Sequence, residues 1–309
     1  MPSLQCRIFL FVLRNRHLLR FKLKKETAVD WETSLPEVRR SAEKSAKMLG
    51  KLPKDIEASP VAIGGGLLAE WIQPAQAVKD KVILYFHGGG YVLGSIQAHR
   101  GIVSKFVKGS GVVALLFDYR LAPEHPFPAA LDDSLAAYRW LLAEGVSPSK
   151  IVFAGDSAGG GLCLATLLAL RDQGIPLPAA AVTLSPWTDV KNTGESLRTN
   201  ARLCLAPANS WVACSKHYAG NNDPGLPYIS PLYGDLRGLP PILIHVGGHE
   251  TLLSDSTRFA EKAKAAGTDV TLKIGEGLFH CYPACAPLFP EATQAMDEIC
   301  AFIKTHVGK

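Results

Sequence analysis

The 309-residue sequence contains no uninterrupted apolar stretch approaching the roughly 18 residues that a membrane-crossing helix needs. Its closest imitation, Ile8 to Leu13 near the amino terminus, is too short for an export signal or a span, and no small-residue cleavage pattern follows it. The expectation is a chain that is neither exported nor membrane-spanning. Paired cysteines are also missing. Cys6, Cys163, Cys204, Cys214, Cys281, Cys285 and Cys300 are an odd number with no CxxC spacing and no matching histidine ladder, so neither a zinc site nor a disulfide framework is signalled. Free thiols in a reducing cytoplasm are expected.

Acid is absent from the first 25 residues, which carry seven basic side chains: Arg7, Arg14, Arg16, Arg20, Lys22, Lys24 and Lys25. The net charge of +5 therefore belongs to one segment, because the remainder balances 26 basic against 28 acidic residues. A nearly neutral body argues against a nucleic-acid partner. The composition, 47% hydrophobic and 20% charged, is that of a globular protein with a full core.

From residue 81 onward, short β-rich apolar runs alternate with helical patterns, as in a parallel sheet wrapped by helices. Strands are expected at Val82–Phe86, Val112–Phe117, Ile151–Ala154, Ala180–Leu184, Ile242–Val246 and Val270–Ile274. Helices are expected at Leu131–Glu144, Ala158–Asp172, Leu252–Ala266 and Glu291–His306. Val61–Ile63 and Leu67–Ile72, separated by three glycines, suggest a leading antiparallel hairpin. Two regions break the alternation. Residues 1–50 are helical and polar or basic, and 187–237 form an irregular insertion between strands. They are expected to assemble a cap over a core made of residues 51–186 and 238–309, because substrates bind above the carboxyl ends of parallel strands.

Gly155-Asp156-Ser157-Ala158-Gly159 lies directly between a strand and a helix. Small residues on both sides of such a sharp turn lift the central hydroxyl clear of the sheet, which makes Ser157 the candidate nucleophile. A phosphate cradle is the competing reading, but the P-loop Lys and Ser/Thr are absent and GxGxxG does not match in register. His87-Gly88-Gly89-Gly90 follows another strand, and successive glycines let backbone N–H groups face a small oxyanion. Gly88 and Gly89, with Ala158, are the expected donors. A serine needs a base, and His280 follows the last strand; the base needs an orienting carboxylate between 157 and 280. Glu250 sits in the loop after Ile242–Val246 and is favoured over Asp255, which falls in the next helix.

With these motifs the chain resembles the bacterial hormone-sensitive-lipase-like family of α/β-hydrolases. The residues that carry the resemblance are HGGG at 87–90, YRLAPEHPFPAALDD at 119–133, GDSAGGG at 155–161, LSPWTD at 184–189, GGHETLLSDS at 247–256 and GLFH at 277–280. The resemblance implies an eight-stranded, mostly parallel core with a helical cap, no metal or organic cofactor, and hydrolysis of short- to medium-chain carboxylic esters. The ETLL variant of the acid motif points to the branch of short-chain esterases and monoterpene epsilon-lactone hydrolase-like enzymes. An edge-to-edge homodimer through the last strand is a further implication. In many members a DxxL-type cap segment follows the TNA stretch, whereas here Thr199 to Pro207 departs from that pattern.

Within YRLAPE, Arg120 and Glu124 are expected to pair and fix a loop beneath the glycine turn, and Asp156 to anchor neighbouring loops. Leu203, Leu205 and Trp211 are candidate apolar substrate contacts in the cap. The alternatives to an esterase are a lactonase or deacetylase acting on a bulkier substrate, and a non-catalytic binding protein on the same fold. The basic residues 1–25 are expected to cover the pocket, with weak contact to an anionic membrane surface as the second reading.

Overall fold

The computed structural model describes residues 2–15, 35–49, 51–75, 77–205 and 208–308. Eight strands form one sheet in the order β1-β2-β4-β3-β5-β6-β7-β8. They are β1 (Glu57–Ile63), β2 (Leu67–Gln73), β3 (Val82–Phe86), β4 (Val113–Phe117), β5 (Ile151–Asp156), β6 (Ala180–Leu184), β7 (Ile242–Gly247) and β8 (Val270–Gly275). β1 and β2 form the expected antiparallel hairpin, and β2 pairs antiparallel with β4; every pairing from β4 through β8 is parallel.

The central strands read as continuous apolar runs because both of their faces are covered. VILYF, VALLF and AAVTL are buried at every position. β1 is exposed or half-buried at every position but Ile63 and carries Pro60, which an edge strand tolerates because one side of its backbone needs no ladder partner. The helices are α1 (Leu4–Arg14), α2 (Leu35–Leu49), α3 (Ile96–Ser110), α4 (Ala129–Ala143), α5 (Ala158–Asp172), the single turn α6 (Ser196–Thr199), α7 (Ala208–Ala219), α8 (Leu253–Ala265) and α9 (Pro290–Val307). They divide the core into two layers. One, around Phe86, Phe117, Phe153, Leu164 and Trp187, lies on the α4–α5 side; the other, around Tyr85, Phe106, Leu116, Leu184 and Ile299, lies on the α3–α9 side. Among the described residues no helix is long and apolar enough to cross a membrane.

The six expected parallel strands, the second hairpin strand and the four expected helices fall within two residues of their observed ends, whereas the first hairpin strand, expected from Val61, begins four residues earlier at Glu57. The helix at Ile96–Ser110 was not anticipated. Ser95 caps its amino terminus by accepting a hydrogen bond from the Ala98 N–H at 3.2 Å, and Gly111 ends it in the left-handed conformation. The part of the basic segment beyond Asn15 lies outside the described residues up to Leu35.

Parallel strands deliver their following loops to one edge of the sheet. His87 follows β3, Ser157 follows β5, Ser185 follows β6, Glu250 lies three residues past β7, and His280 lies five past β8.

Candidate active site

Ser157 occupies the turn between β5 and α5 at φ 55° and ψ −121°, a conformation unusual for a residue with a side chain. The turn is held on both sides: the Ser157 N–H donates to the Leu184 carbonyl at 2.8 Å, and the Ser157 carbonyl accepts from the N–H groups of Trp187 and Gly161 at 3.0 and 3.1 Å. Gly159 allows α5 to start against β3, since a Cβ there would fall 2.1 Å from the Phe86 carbonyl oxygen.

The glycine turn at 87–90 rests on a buried polar cluster. Burial drives the His87 pKa down to about 3, helped by the nearby His99, so the ring is neutral and its Nδ1–H donates to the Gly88 carbonyl at 2.9 Å. Its other face stacks on Tyr119 at 4.1 Å, and the Tyr119 hydroxyl donates to the His87 carbonyl at 2.8 Å. Asp156 Oδ1 accepts from the Tyr85 hydroxyl at 2.9 Å and from the Gly88 N–H at 3.0 Å, with His99 Nε2 at 3.7 Å. Burial opposes charge on both Asp156 and His99, but their mutual attraction wins: the carboxylate pKa is lowered and the imidazole pKa raised.

These bonds correct the expectation for Gly88. Its N–H is committed to Asp156, so it cannot also face an oxyanion. Gly89 and Gly90, at φ 127° and 64°, continue the turn, and among the described residues no acceptor is bonded to their N–H groups or to that of Ala158. Asp156 anchors the loops as expected.

His280 Nδ1 lies 3.2 Å from Glu250 Oε1. Glu250 is fully buried, and its other oxygen accepts from the Ser185 hydroxyl at 2.7 Å and the Gly247 N–H at 2.9 Å. Burial by itself opposes an imidazolium at His280, but the adjoining Cys281 and Glu250 outweigh it and raise the pKa well above the ordinary 6.5. Asp255 is elsewhere. Its Oδ2 accepts the Thr188 and Asp189 N–H groups at 2.9 and 2.8 Å, and burial together with the charge of Asp189 raises its pKa to about 8. It holds the loop after β6.

Ser185 joins the site although the motifs did not single it out. At φ 49° its hydroxyl donates to Glu250 and accepts the Cys281 N–H at 2.9 Å, while its own N–H donates to the His245 carbonyl at 2.7 Å. The neighbouring Leu184 carbonyl accepts from both the Ser157 N–H and the Cys281 thiol, the latter at 3.6 Å. One peptide thus ties the Ser157 turn to the loop that carries His280. Its sequence signal was its place in LSPWTD, directly after a buried strand, a motif that carried the resemblance without an assigned role.

Of the three apolar cap candidates, Trp211 is buried with its ring 5.7 Å from that of His280, steeply inclined, and with its Nε1–H on Thr251. Leu203 is half-buried and Leu205 is 37% exposed. Asn200, from the TNA stretch, donates to the Gly248 and Glu250 carbonyls and so ties the insertion to the acid loop. Arg120 and Glu124 do not pair with each other. Arg120 forks onto Asp133, and Glu124 receives Arg39 from α2 at 2.7 Å. All seven cysteines are free thiols. Among the described residues no three His, Cys, Asp or Glu side chains converge as metal ligands would.

Comparison with known proteins identifies the fold and the family. A family model described as the alpha/beta hydrolase fold matches residues 83–284. An acetyl-hydrolase of Streptomyces hygroscopicus is 41% identical over 285 residues, 91% of this chain and 94% of its own length. An esterase of Acinetobacter venetianus is 38% identical, covering 80% of this chain and 82% of that one. Among solved structures, an esterase from the bacterial hormone-sensitive lipase family superposes with a TM-score of 0.89 at 41% identity over the full length of both chains. EstE5, soaked with p-nitrophenyl butyrate, superposes at 0.90 and 41% identity, covering 99% of this chain and all of its own.

Proposed function

Because the chain belongs to the alpha/beta hydrolase fold family, among the esterases of the bacterial hormone-sensitive lipase group, we propose that it cleaves short- to medium-chain carboxylic esters with Ser157, His280 and Glu250 as its catalytic triad. The chain is a carboxylic ester hydrolase, and we assign the triad, the oxyanion donors and the cap as the parts that carry out this reaction. The observation that carries the reading is the contact of buried Glu250 with Nδ1 of His280, on a loop tied through the Leu184 carbonyl to the turn that holds Ser157 at positive φ between strand and helix.

In the proposed sequence, Ser157 Oγ attacks the ester carbonyl carbon while His280 Nε2 takes its proton, and Glu250 stabilises the imidazolium. The N–H groups of Gly89, Gly90 and Ala158 receive the oxyanion, each such donor being worth about 3 kcal/mol in the transition state. Collapse expels the alcohol, which leaves with the proton from His280. Water then attacks the acyl-Ser157, giving its proton to the same nitrogen, and the acid departs as Ser157 is restored. Trp211 closes one side of the site, and the segments 1–50 and 187–237 act as its cap. β8, one of the two edge strands, would serve a homodimer.

The test is a burst experiment with p-nitrophenyl esters from acetate to decanoate, alongside simple lactones. The wild type should release one equivalent of nitrophenol rapidly and bind a fluorophosphonate covalently at Ser157. Ser157→Ala should do neither; turnover retained by that variant would sink the assignment. Faster turnover of lactones than of linear esters would instead favour the lactonase.

A further inference from the structure

We propose that the outer face of α1, with Arg7 and Arg14 on its flank, is a docking surface for an anionic lipid bilayer. This rests on the surface alone and not on the catalytic reading.

The helix LQCRIFLFVLR is apolar on two sides. Its inner side packs on the core: Cys6 and Leu10 are buried, and Phe9 lies 5.8 Å from Phe279 and 5.5 Å from Phe289. With that side satisfied, burial of the core gives no reason for the other side to be apolar. Yet Leu4, Ile8, Phe11 and Val12, spaced at i, i+4, i+7 and i+8, form a second stripe that is 42 to 67% exposed. Leu288, exposed at 60%, lies across the groove that Gln5 also lines, and extends the patch. An apolar stripe of this kind on one helix is a surface kept for a partner.

Charge selects the partner. Arg7 and Arg14 fall on one flank of the stripe by helical spacing, and five more Lys or Arg follow by residue 25 with no acid among them. A second copy of the chain would be the simplest apolar partner. A two-fold contact with the helices antiparallel, however, would bring this cationic flank against itself, with no acid in the segment to offset it. Acids lie beyond the helix: Glu291, which takes up Ser3, and Asp297 and Glu298, which line the groove with Gln5, on α9, and Glu276, which lines a pocket with Pro2, after β8. An apolar stripe with arginines on one flank, continued in sequence by a basic stretch without acids, matches the interface of an anionic bilayer, where side chains enter the acyl boundary and arginines meet phosphate. Docking would also set the site at the membrane, because Phe9 packs on Phe279, the residue before His280, and Pro2 packs against Gly277.

The experiment is sedimentation of the full chain with vesicles of phosphatidylcholine alone and with phosphatidylcholine containing phosphatidylglycerol. The wild type should pellet with the anionic vesicles and be released as salt rises. Arg7→Glu should bind about thirtyfold more weakly, the change expected from reversing one charge near such a surface. Ile8→Ser/Phe11→Ser should lose binding while keeping the wild-type thermal midpoint, since both side chains are solvent-exposed. Three results would overturn the proposal: no wild-type binding to anionic vesicles, equal binding to neutral ones, or anionic binding unchanged in both variants. Light scattering that shows a wild-type dimer split by Ile8→Ser/Phe11→Ser would also overturn it, and would assign the face to a second copy.

Discussion

At Glu250 and Asp255 the same chemical group, buried five residues apart, has different work because of what surrounds it. Glu250 faces an imidazole whose proton it holds, whereas Asp255 accepts two backbone N–H groups and, with a pKa near 8, is mostly uncharged at neutral pH. Glu250→Gln should therefore lower kcat by about four orders of magnitude, as losing a triad carboxylate does. Asp255→Asn replaces a neutral acid by a neutral amide and should stay within tenfold of the wild type. The pH profile adds a second readout: the base works only when neutral, and the raised pKa of His280 puts the acid limb of kcat/KM above 6.5. Removing the Glu250 charge should move that limb toward acid. Ser185 is argued to act through Glu250, so Ser185→Ala should lower kcat by about 10- to 100-fold, the worth of one hydrogen bond to a charged group, with KM little changed. If KM rises instead and kcat holds, Ser185 shapes the pocket and does not position the acid.

At the scale of elements, the close approach of α5 to β3 decides whether the site can exist. Gly159→Ala would press a methyl group into the Phe86 and His87 carbonyls, both backbone, so the helix or the glycine turn must shift. We expect a loss of about 3 kcal/mol, read from the urea midpoint, and activity falling further than stability because the same shift displaces Gly89 and Gly90. The elements that were legible in the sequence are those whose pattern is local: buried parallel strands as apolar runs, and a serine bracketed by glycines between strand and helix. α3 was not legible, because Gly101 and Gly109 and four basic side chains blur its pattern. Gly109 is there for packing, as a Cβ would fall 2.4 Å from the Cys300 sulfur of α9. The pairing of Arg120 with Glu124 failed for the reverse reason. Closeness in sequence suggested it, but the fold presents Asp133 to one and Arg39 to the other. The role of Ser185 and the loss of the Gly88 N–H to Asp156 depend on loops that converge from 65 to 96 residues away, which no local pattern encodes.

At the scale of the whole molecule, the buried titratable groups set a pH window for stability. His87 and His245 are buried neutral, with pKa values pushed down to about 3 and about 4 from 6.5. Below pH 6.5 the unfolded chain takes up protons that the folded one refuses, so stability is complete above 6.5 and is lost as the pH falls toward these values. Asp255 has the opposite sign. Its pKa rises from 3.8 to about 8, so the folded chain holds a proton that the unfolded one has released, and stability falls as the pH climbs across that interval. Between pH 4 and 6.5 two histidines oppose Asp255 and Asp118, whose pKa burial also raises, so the net slope is upward by at most about 1.4 kcal/mol per pH unit. Above 6.5 the histidine contribution is complete and Asp255 remains, joined by His99 and His280, whose raised pKa values act in the same direction. The thermal midpoint should therefore peak near pH 6.5 and decline on both sides. Asp255→Asn should make the alkaline limb shallower, and His245→Gln should remove about 3 kcal/mol of the acid loss. Calorimetry from pH 4.5 to 9 on the three proteins separates these limbs. A wild-type midpoint still rising at pH 8 would mean that Asp255 is charged in the folded protein.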